Sequence, residues 1–311
     1  MNNSTAQKSY ANFGWQRSLS QIQSALRGRQ YVDDSMQVLL DWVREAEERM
    51  ADCLGHSIRG LRILEIGPGQ GMERAYYFGR SNEIVALDLD VIPYGFDPKG
   101  YWHMWRNNGL GRVAKTIGRS LIIGRANRAA WMKTIGVDRL QPPKFIHGDI
   151  CSDVPEHSAF NVVMTWSVFE HLPDPRQALE NVIAALKPGG IFYISLHLFT
   201  SNNGHHDIRA FTGREDELPL WAHLRPEQKH HIDPSSYLNE WRLSQWRSLL
   251  AELAPGHREI LEKFEHESRY GSQLTGQLAA ELRDYTHEEL LTVNAVYIWR
   301  KPTEPSSADN A

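Results

Sequence analysis

Short apolar runs alternate with amphipathic stretches along most of the chain. Arg62–Ile66, Glu83–Asp88, Phe160–Thr165 and Ile191–Ser195 are dominated by apolar residues, the pattern of parallel strands covered on both faces, and Lys144–Ile150 continues the α/β rhythm as a third strand ending in Gly148-Asp149. Helical spacing lies between and before them. Within 35–54, Met36, Leu39, Leu40, Val43 and Met50 recur among Glu and Arg, and a helix over 72–80 follows the first strand. Asp174 and Pro175 form a cap and first turn for a helix whose core face is Leu179, Val182, Ile183 and Leu186, stopped by Lys187-Pro188-Gly189-Gly190. A helix over 244–253, a sixth strand over 259–266 and a last strand over 291–300 complete the rhythm. The last strand alternates in part, as an antiparallel edge strand does. The pattern predicts a doubly wound α/β fold with a seven-stranded sheet.

Two stretches interrupt this rhythm, an insert over 98–137 and a cap over 196–243 too long for an ordinary loop. An N-terminal helical segment, 1–57, precedes a domain over 58–302, and 303–311 reads as a disordered tail. Tyr10, Phe13 and Trp15 place more aromatic residues near the N-terminus than a plain disordered tail carries. At 311 residues and a net charge of −4, the chain suits one core with additions and shows no global attraction to nucleic acid. Cys53 and Cys151 sit in no metal-like spacing, which together with the lack of a membrane-length apolar run or signal-peptide core leads to the expectation of a soluble, cytoplasmic protein without a transmembrane segment. Oligomeric state is not legible.

The chemistry begins where the first strand ends. In Glu65-Ile66-Gly67-Pro68-Gly69-Gln70-Gly71, glycines at alternate positions let the backbone turn sharply and approach a ligand. A dinucleotide-binding turn needs a further glycine at 72, where this chain has Met72, and Glu65 repels a pyrophosphate while suiting a cationic amine. A second strand ends in Asp88, placed to hold ribose hydroxyls at the carboxyl edge of the sheet.

Strand, acid, then Gly-x-Gly-x-Gly resembles the first motif of class I S-adenosylmethionine-dependent methyltransferases. Asp88, the Gly148-Asp149 pair after the third strand, and the run from the fourth strand to Lys187-Pro188-Gly189-Gly190 resemble the motifs that follow in that family. The resemblance covers about 60–200 well and implies a Rossmann-like methyltransferase sheet and S-adenosyl-L-methionine as cofactor. It further implies that Glu65, Gly67, Gly69, Gly71, Asp88, Asp149, Ile150 and Trp166 bind that cofactor, with Asp149 accepting from the adenine amino group. The stretch after the fourth strand is similar to ubiquinone-pathway O-methyltransferases, where a Glu-x-x-Glu-His run can hold a divalent cation. Here Ser167 stands in place of the first Glu before Glu170 and His171, so no metal site is expected.

The insert carries Lys99, Arg106, Arg112, Lys115, Arg119, Arg125, Arg128 and Lys133 with no acid, an apolar face of Val113, Ile117 and Leu121, and aromatic surface from Tyr101, Trp102, Trp105 and Trp131. It reads either as a solvated basic lid or as a receiver of an anionic acceptor, such as a phosphate-bearing glycan or lipid carrier, or of an anionic membrane surface. The cap holds six of the fourteen histidines, His197, His205, His206, His223, His230 and His231, and its His205-His206-Asp207 run is echoed by His230-His231-Ile232-Asp233. A polar acceptor pocket is favoured over a metal site or simple exposure. The expected function is methyl transfer to a small-molecule or glycan- or lipid-linked acceptor, most simply a hydroxyl oxygen, with His171, His197, His205 or His206 as general base. The alternatives are a cofactor-binding module without chemistry and a nucleic-acid methyltransferase. The latter lacks the Asn/Asp-Pro-Pro-aromatic tetrad, since Thr165-Trp166-Ser167-Val168 occupies its place.

Overall fold

The computed structural model describes residues 32–89, 102, 106, 125–264 and 266–303. The N-terminal aromatics Tyr10, Phe13 and Trp15, most of the basic insert including Arg112, Lys115, Arg119 and the Val113, Ile117, Leu121 face, and the tail 304–311 lie outside the described residues.

Seven strands form one sheet: β1 (Arg62–Ile66), β2 (Glu83–Asp88), β3 (Lys144–His147), β4 (Phe160–Trp166), β5 (Leu186–His197), β6 (Arg258–Glu262) and β7 (Asn294–Arg300), in the order β3-β2-β1-β4-β5-β7-β6. β1 runs parallel to β2 with Arg62 opposite Glu83 and Ile66 opposite Leu87, and β2 parallel to β3 with Asp88 opposite His147. β6 and β7 are antiparallel, with Arg258 opposite Ile298 and Glu262 opposite Asn294. Flanking helices make this the doubly wound α/β arrangement that the apolar runs predict. The expectation of β7 as an edge strand is corrected. β7 lies between β5 and β6, and Ala295 to Trp299 are all buried, so its residues are apolar on both faces and β6 takes the edge. Strand β6 is also shorter than 259–266, because the chain turns at Phe264, in a left-handed conformation, into a helix that starts at His266. Leu291 ends a helix, His287–Leu291, and does not begin the last strand.

The chain divides into two compact units. The first contains the glycine loop and comprises the described residues through Met164, Asn181–Phe192 and the segment from Arg300. In it, α1 (Val32–Leu54) buries Met36, Leu40, Val43 and Met50 of the stripe read from the sequence, together with Ala46 and Leu54, while Leu39 is only partly buried, and it packs against a helix over Arg125–Ile135. Trp131 corrects the reading of the insert as aromatic surface. It is 1% exposed, and its indole N–H donates to the Glu73 carbonyl at 2.9 Å, so the last part of the insert belongs to the core. Trp102 does lie exposed, with the Arg106 guanidinium 5.0 Å over its ring. Lys301 Nζ donates to the carbonyls of Ile183 and Leu186, neutralising orphan acceptors at the end of the helix Pro175–Ala185.

The second unit comprises Thr165–Glu180 and Tyr193–Trp299. The stretch after β5 folds as single 3-10 turns, Ile208–Phe211, Glu215–Glu217, Ala222–Leu224 and Lys229–His231, linked by a bridge between Asp207 and Pro234. Its apolar centre is Trp221, Leu224, Tyr270, Leu274, Leu282, Leu290 and Leu291, so the short helices over 266–291 serve as the floor under the turns. Trp246 and Leu250, on the helix Leu243–Leu253, are buried as the 3.6-residue spacing requires. No helix among the described residues is long and apolar enough to cross a membrane.

Candidate active site

The loop between β1 and the helix Glu73–Phe78 is built by backbone conformations that a side chain resists. Gly67 and Gly69 have φ of 64° and 67°, and an added Cβ at Gly69 would meet open space, so the constraint there is conformational rather than steric. Gly71 differs. Its φ is not left-handed, and a Cβ there would lie 1.8 Å from Glu73 Oε1, the far end of a flexible side chain folded over it. Met72 takes the left-handed region with φ of 52° while burying its side chain, and the helix begins at Glu73, one residue later than the pattern suggests.

Under this loop Glu65 is 1% exposed, and its Oε2 has no hydrogen-bond partner among the described residues. Burial pushes its carboxyl up to about 7, against the pull of Arg74 and with added repulsion from Glu73 and Asp88. An orphaned buried carboxylate is costly on its own and is relieved by a cation. This matches the ammonium end of S-adenosylmethionine and is the wrong charge for a pyrophosphate. Asp88 ends β2 half-buried. Asp149 is engaged within its own turn, Oδ1 accepting from the Cys151 N–H at 2.9 Å and Oδ2 from Ser152 Oγ at 3.3 Å, which leaves each oxygen a further lone pair. Ile150 is buried, and its carbonyl accepts from Asn181 Nδ2 at 2.7 Å. Trp166 closes β4, its ring 5.2 Å from that of Tyr193.

The histidines gather in the second unit. The sequence turns out of β4 at Ser167, whose φ is 52°, and makes one 3-10 turn, Phe169–His171. Asn239 clamps this turn: its N–H donates to the Glu170 carbonyl at 2.9 Å, and its side-chain amide donates to the carbonyls of Phe169 and Leu172. Glu170 is 2% exposed. Its Oε1 accepts from the His197 N–H at 3.1 Å, and its Oε2 has no partner among the described residues. Burial pushes this carboxyl up to about 8.

His171, His197 and His206 form one cluster, the ring of His206 lying 4.8 Å from that of His171 and 4.7 Å from that of His197. His206 sits in a left-handed conformation with φ of 52°, is 9% exposed, and its Nε2 is unpartnered among the described residues. Its imidazole is held far below the ordinary value by burial first and by the neighbouring histidines second.

Hydrogen bonds sort the four candidate bases by tautomer. His171 Nδ1 lies 2.7 Å from the Tyr237 carbonyl, which can only accept, so Nδ1 carries the proton and Nε2 is an open lone pair. His197 Nε2 lies 2.9 Å from Asn203 Oδ1, with Ser201 Oγ nearby, so that nitrogen is engaged. His205 accepts the Asp207 N–H on Nδ1 at 2.9 Å, which uses its lone pair and sets it apart from the other three as a structural residue. His223, buried beside His205, donates to the Phe199 carbonyl.

The repeated His-His motifs meet through Asp207, whose Oδ2 accepts from the Asp233 N–H at 2.9 Å and whose carboxylate pairs with Arg209, itself donating to the His231 carbonyl. His230 and His231 are exposed. The sequence gives no signal for Asn239, Asn203 or the Tyr237 carbonyl as organisers, because each acts through a backbone group or a single amide.

A family model described as "Methyltransferase domain" matches residues 39–246. No curated protein matches the chain. Among solved structures, phosphoethanolamine N-methyltransferase 2 of Haemonchus contortus, in complex with S-adenosyl-L-methionine, is 14% identical over 88% of this chain and 58% of its own, with a TM-score of 0.43. An S-adenosylmethionine-dependent methyltransferase of Mesorhizobium loti is 17% identical over 78% and 92%, with a TM-score of 0.39. The YcgJ protein of Bacillus subtilis is 15% identical over 82% and 99%, with a TM-score of 0.40. The matched span takes in the glycine loop, five strands and the histidine cluster, well over half of the chain, so this protein belongs to the methyltransferase-domain family and is a class I S-adenosylmethionine-dependent methyltransferase.

Proposed function

We propose that the methyl acceptor is a hydroxyl oxygen of a small molecule or of a glycan- or lipid-linked carrier, met by the imidazole cluster, with His171 receiving the hydroxyl proton. The observation that carries this reading is the fixed tautomer of His171, which leaves Nε2 open on a turn that follows directly from β4. Burial holds the imidazole below its ordinary value, so it is neutral near pH 7 and able to accept. S-adenosylmethionine supplies the methyl group: the acceptor oxygen bonds to the methyl carbon while the sulfur–carbon bond breaks, the electron pair staying on a sulfur that departs as a neutral thioether. His171 takes the proton on Nε2, and the Tyr237 carbonyl steadies the resulting imidazolium by accepting from Nδ1. Glu65 would receive the cofactor's cationic amine, Gly67, Gly69 and Gly71 its close backbone approach, Asp88 the ribose and Asp149 the adenine amino group, and Ile150 and Trp166 are proposed as further cofactor-binding residues. The protein's share is chiefly positioning and exclusion of water.

The test pairs labelled cofactor with fractionated hydroxylated acceptors. His171→Gln should lower kcat by about a hundredfold to ten-thousandfold while the cofactor Kd stays fixed in calorimetry. Label found on nitrogen or carbon, or near-normal turnover of the variant, would refute the assignment. An anionic acceptor, suggested by the basic stretch within 98–137, should show a KM that rises with ionic strength. A KM indifferent to salt would leave that stretch as a solvated lid.

A further inference from the structure

We infer that Glu170, His171 and His206 form a binding site for a divalent transition-metal ion, with two imidazole nitrogens and one carboxylate oxygen as ligands and the remaining coordination positions open. The inference deepens the proposed acceptor site and rests on that reading for its catalytic use, though not for the binding itself. One ligand atom from each of the three residues lies within 4.8 Å of the others. Metal–nitrogen and metal–oxygen bonds of about 2.0 to 2.2 Å span such a triangle after small side-chain rotations.

Two independent features favour an occupant among these three residues. Glu170 Oε2 and His206 Nε2 are both buried and both lack a partner among the described residues, a costly state for polar atoms unless something occupies the space between them. The outer contacts are those that hold metal ligands in place. Tyr237 accepts from His171 Nδ1, which fixes the ring and frees Nε2, and the His197 N–H holds the second oxygen of Glu170. His206 is delivered by a left-handed backbone, a strained conformation for a residue that carries a Cβ.

The third ligand thus comes from the cap, not from the run before Glu170, where Ser167 offers no carboxylate. The donor set also selects the metal. Two imidazoles with one carboxylate suit zinc, cobalt or nickel and suit magnesium poorly, since magnesium requires an oxygen shell. Such an ion would take the His171 lone pair, so the proton-accepting role of His171 belongs to the metal-free site; in the loaded site the ion would bind the acceptor oxygen at an open position and let that oxygen lose its proton to water instead.

The test uses the full chain, stripped with a chelator and titrated with Co²⁺, followed by visible d–d absorption and by calorimetry. A single site is expected. It should weaken at least roughly tenfold in His171→Gln and in His206→Gln and keep its affinity in His223→Gln, which alters a buried imidazole outside the triangle. Because His206 is buried, circular dichroism melts check its variant, while the less buried His171 gives a variant less exposed to folding defects. Absence of d–d bands at millimolar Co²⁺, or equal affinity in wild type and His171→Gln, would overturn the site. Failure of the acceptor reading looks different: Co²⁺ would bind as described while no hydroxyl takes up label.

Discussion

Glu65 links cofactor binding to pH in a way that can be worked out in advance. Its carboxyl has an unpartnered, fully buried oxygen, and burial lifts it from 4.5 to about 7. A cationic amine binds the ionised form, so the apparent Kd scales with one plus the ratio of protonated to ionised carboxyl. Between pH 5.5 and 7 that factor falls roughly fifteenfold, about 1.6 kcal/mol, and binding at the lower pH should release close to one proton. The sign in the free protein is opposite to that of a salt-bridged carboxylate. A raised acid stabilises the fold fully below its unfolded value, and that contribution is lost as pH rises through about 7, unless the cofactor is present to offset it. Titration calorimetry at pH 5.5, 6.2 and 7, in two buffers of different ionisation enthalpy, reads affinity and proton release together. Glu65→Gln should bind more weakly at pH 7 and show a flat profile. A flat wild-type profile, or the same slope in the variant, would show that Glu65 does not face the amine.

Three further perturbations test other parts of the molecule. Asp88→Ala should weaken cofactor binding by about 1.5 to 3 kcal/mol, the value of hydrogen bonds to a charged group, and an unchanged Kd would remove it from the ribose. His223 is held near 3 by burial first and by His205 second, so its contribution to stability is complete above about 6.5 and is lost as pH falls toward 3. The slope is about 1.4 kcal/mol per pH unit between those limits; urea melts of His223→Gln from pH 7 to pH 5 should be shallower by that amount, and parallel curves would mean that the imidazole charges in place. Trp246, fully buried against Trp241 and Phe169, should cost about 3 to 5 kcal/mol on truncation to Ala, whereas a loss below 1 kcal/mol would mean that the neighbouring rings collapse into the space.

The strands around the glycine loop are legible in the sequence because, in a chain of this rhythm, an apolar run that ends in Gly or Asp fits a buried parallel strand and little else. That rule fails at the far edge. Leu291 belongs to a helix and β7 is interior, facts set by the order of strands and not by any local pattern. Trp131 departs from expectation for a similar reason, since eight cations around it suggest a solvated segment although its own residue type argues for burial. In the candidate site, residue types are readable and relations are not. That the histidines concentrate after β5 is visible in the sequence. That His205 spends its lone pair on the Asp207 N–H while His206, its neighbour, takes a left-handed conformation, keeps an unpartnered nitrogen and joins Glu170 and His171 is set by the fold of the cap and not by residue type.

Because β7 lies inside the sheet, the fold cannot be completed in the order of synthesis. Strand β6 leaves the ribosome before β7, yet in the finished sheet its only hydrogen-bonded neighbour among the described strands is β7. A nascent chain that ends before Asn294 therefore presents two unfilled edges, one on β5 and one on β6, and the carboxyl-terminal strand must slot between them. Closure of the sheet therefore waits for β7 and is governed by its pairing with β5, a segment far apart from it in sequence, and not by local hairpin formation alone.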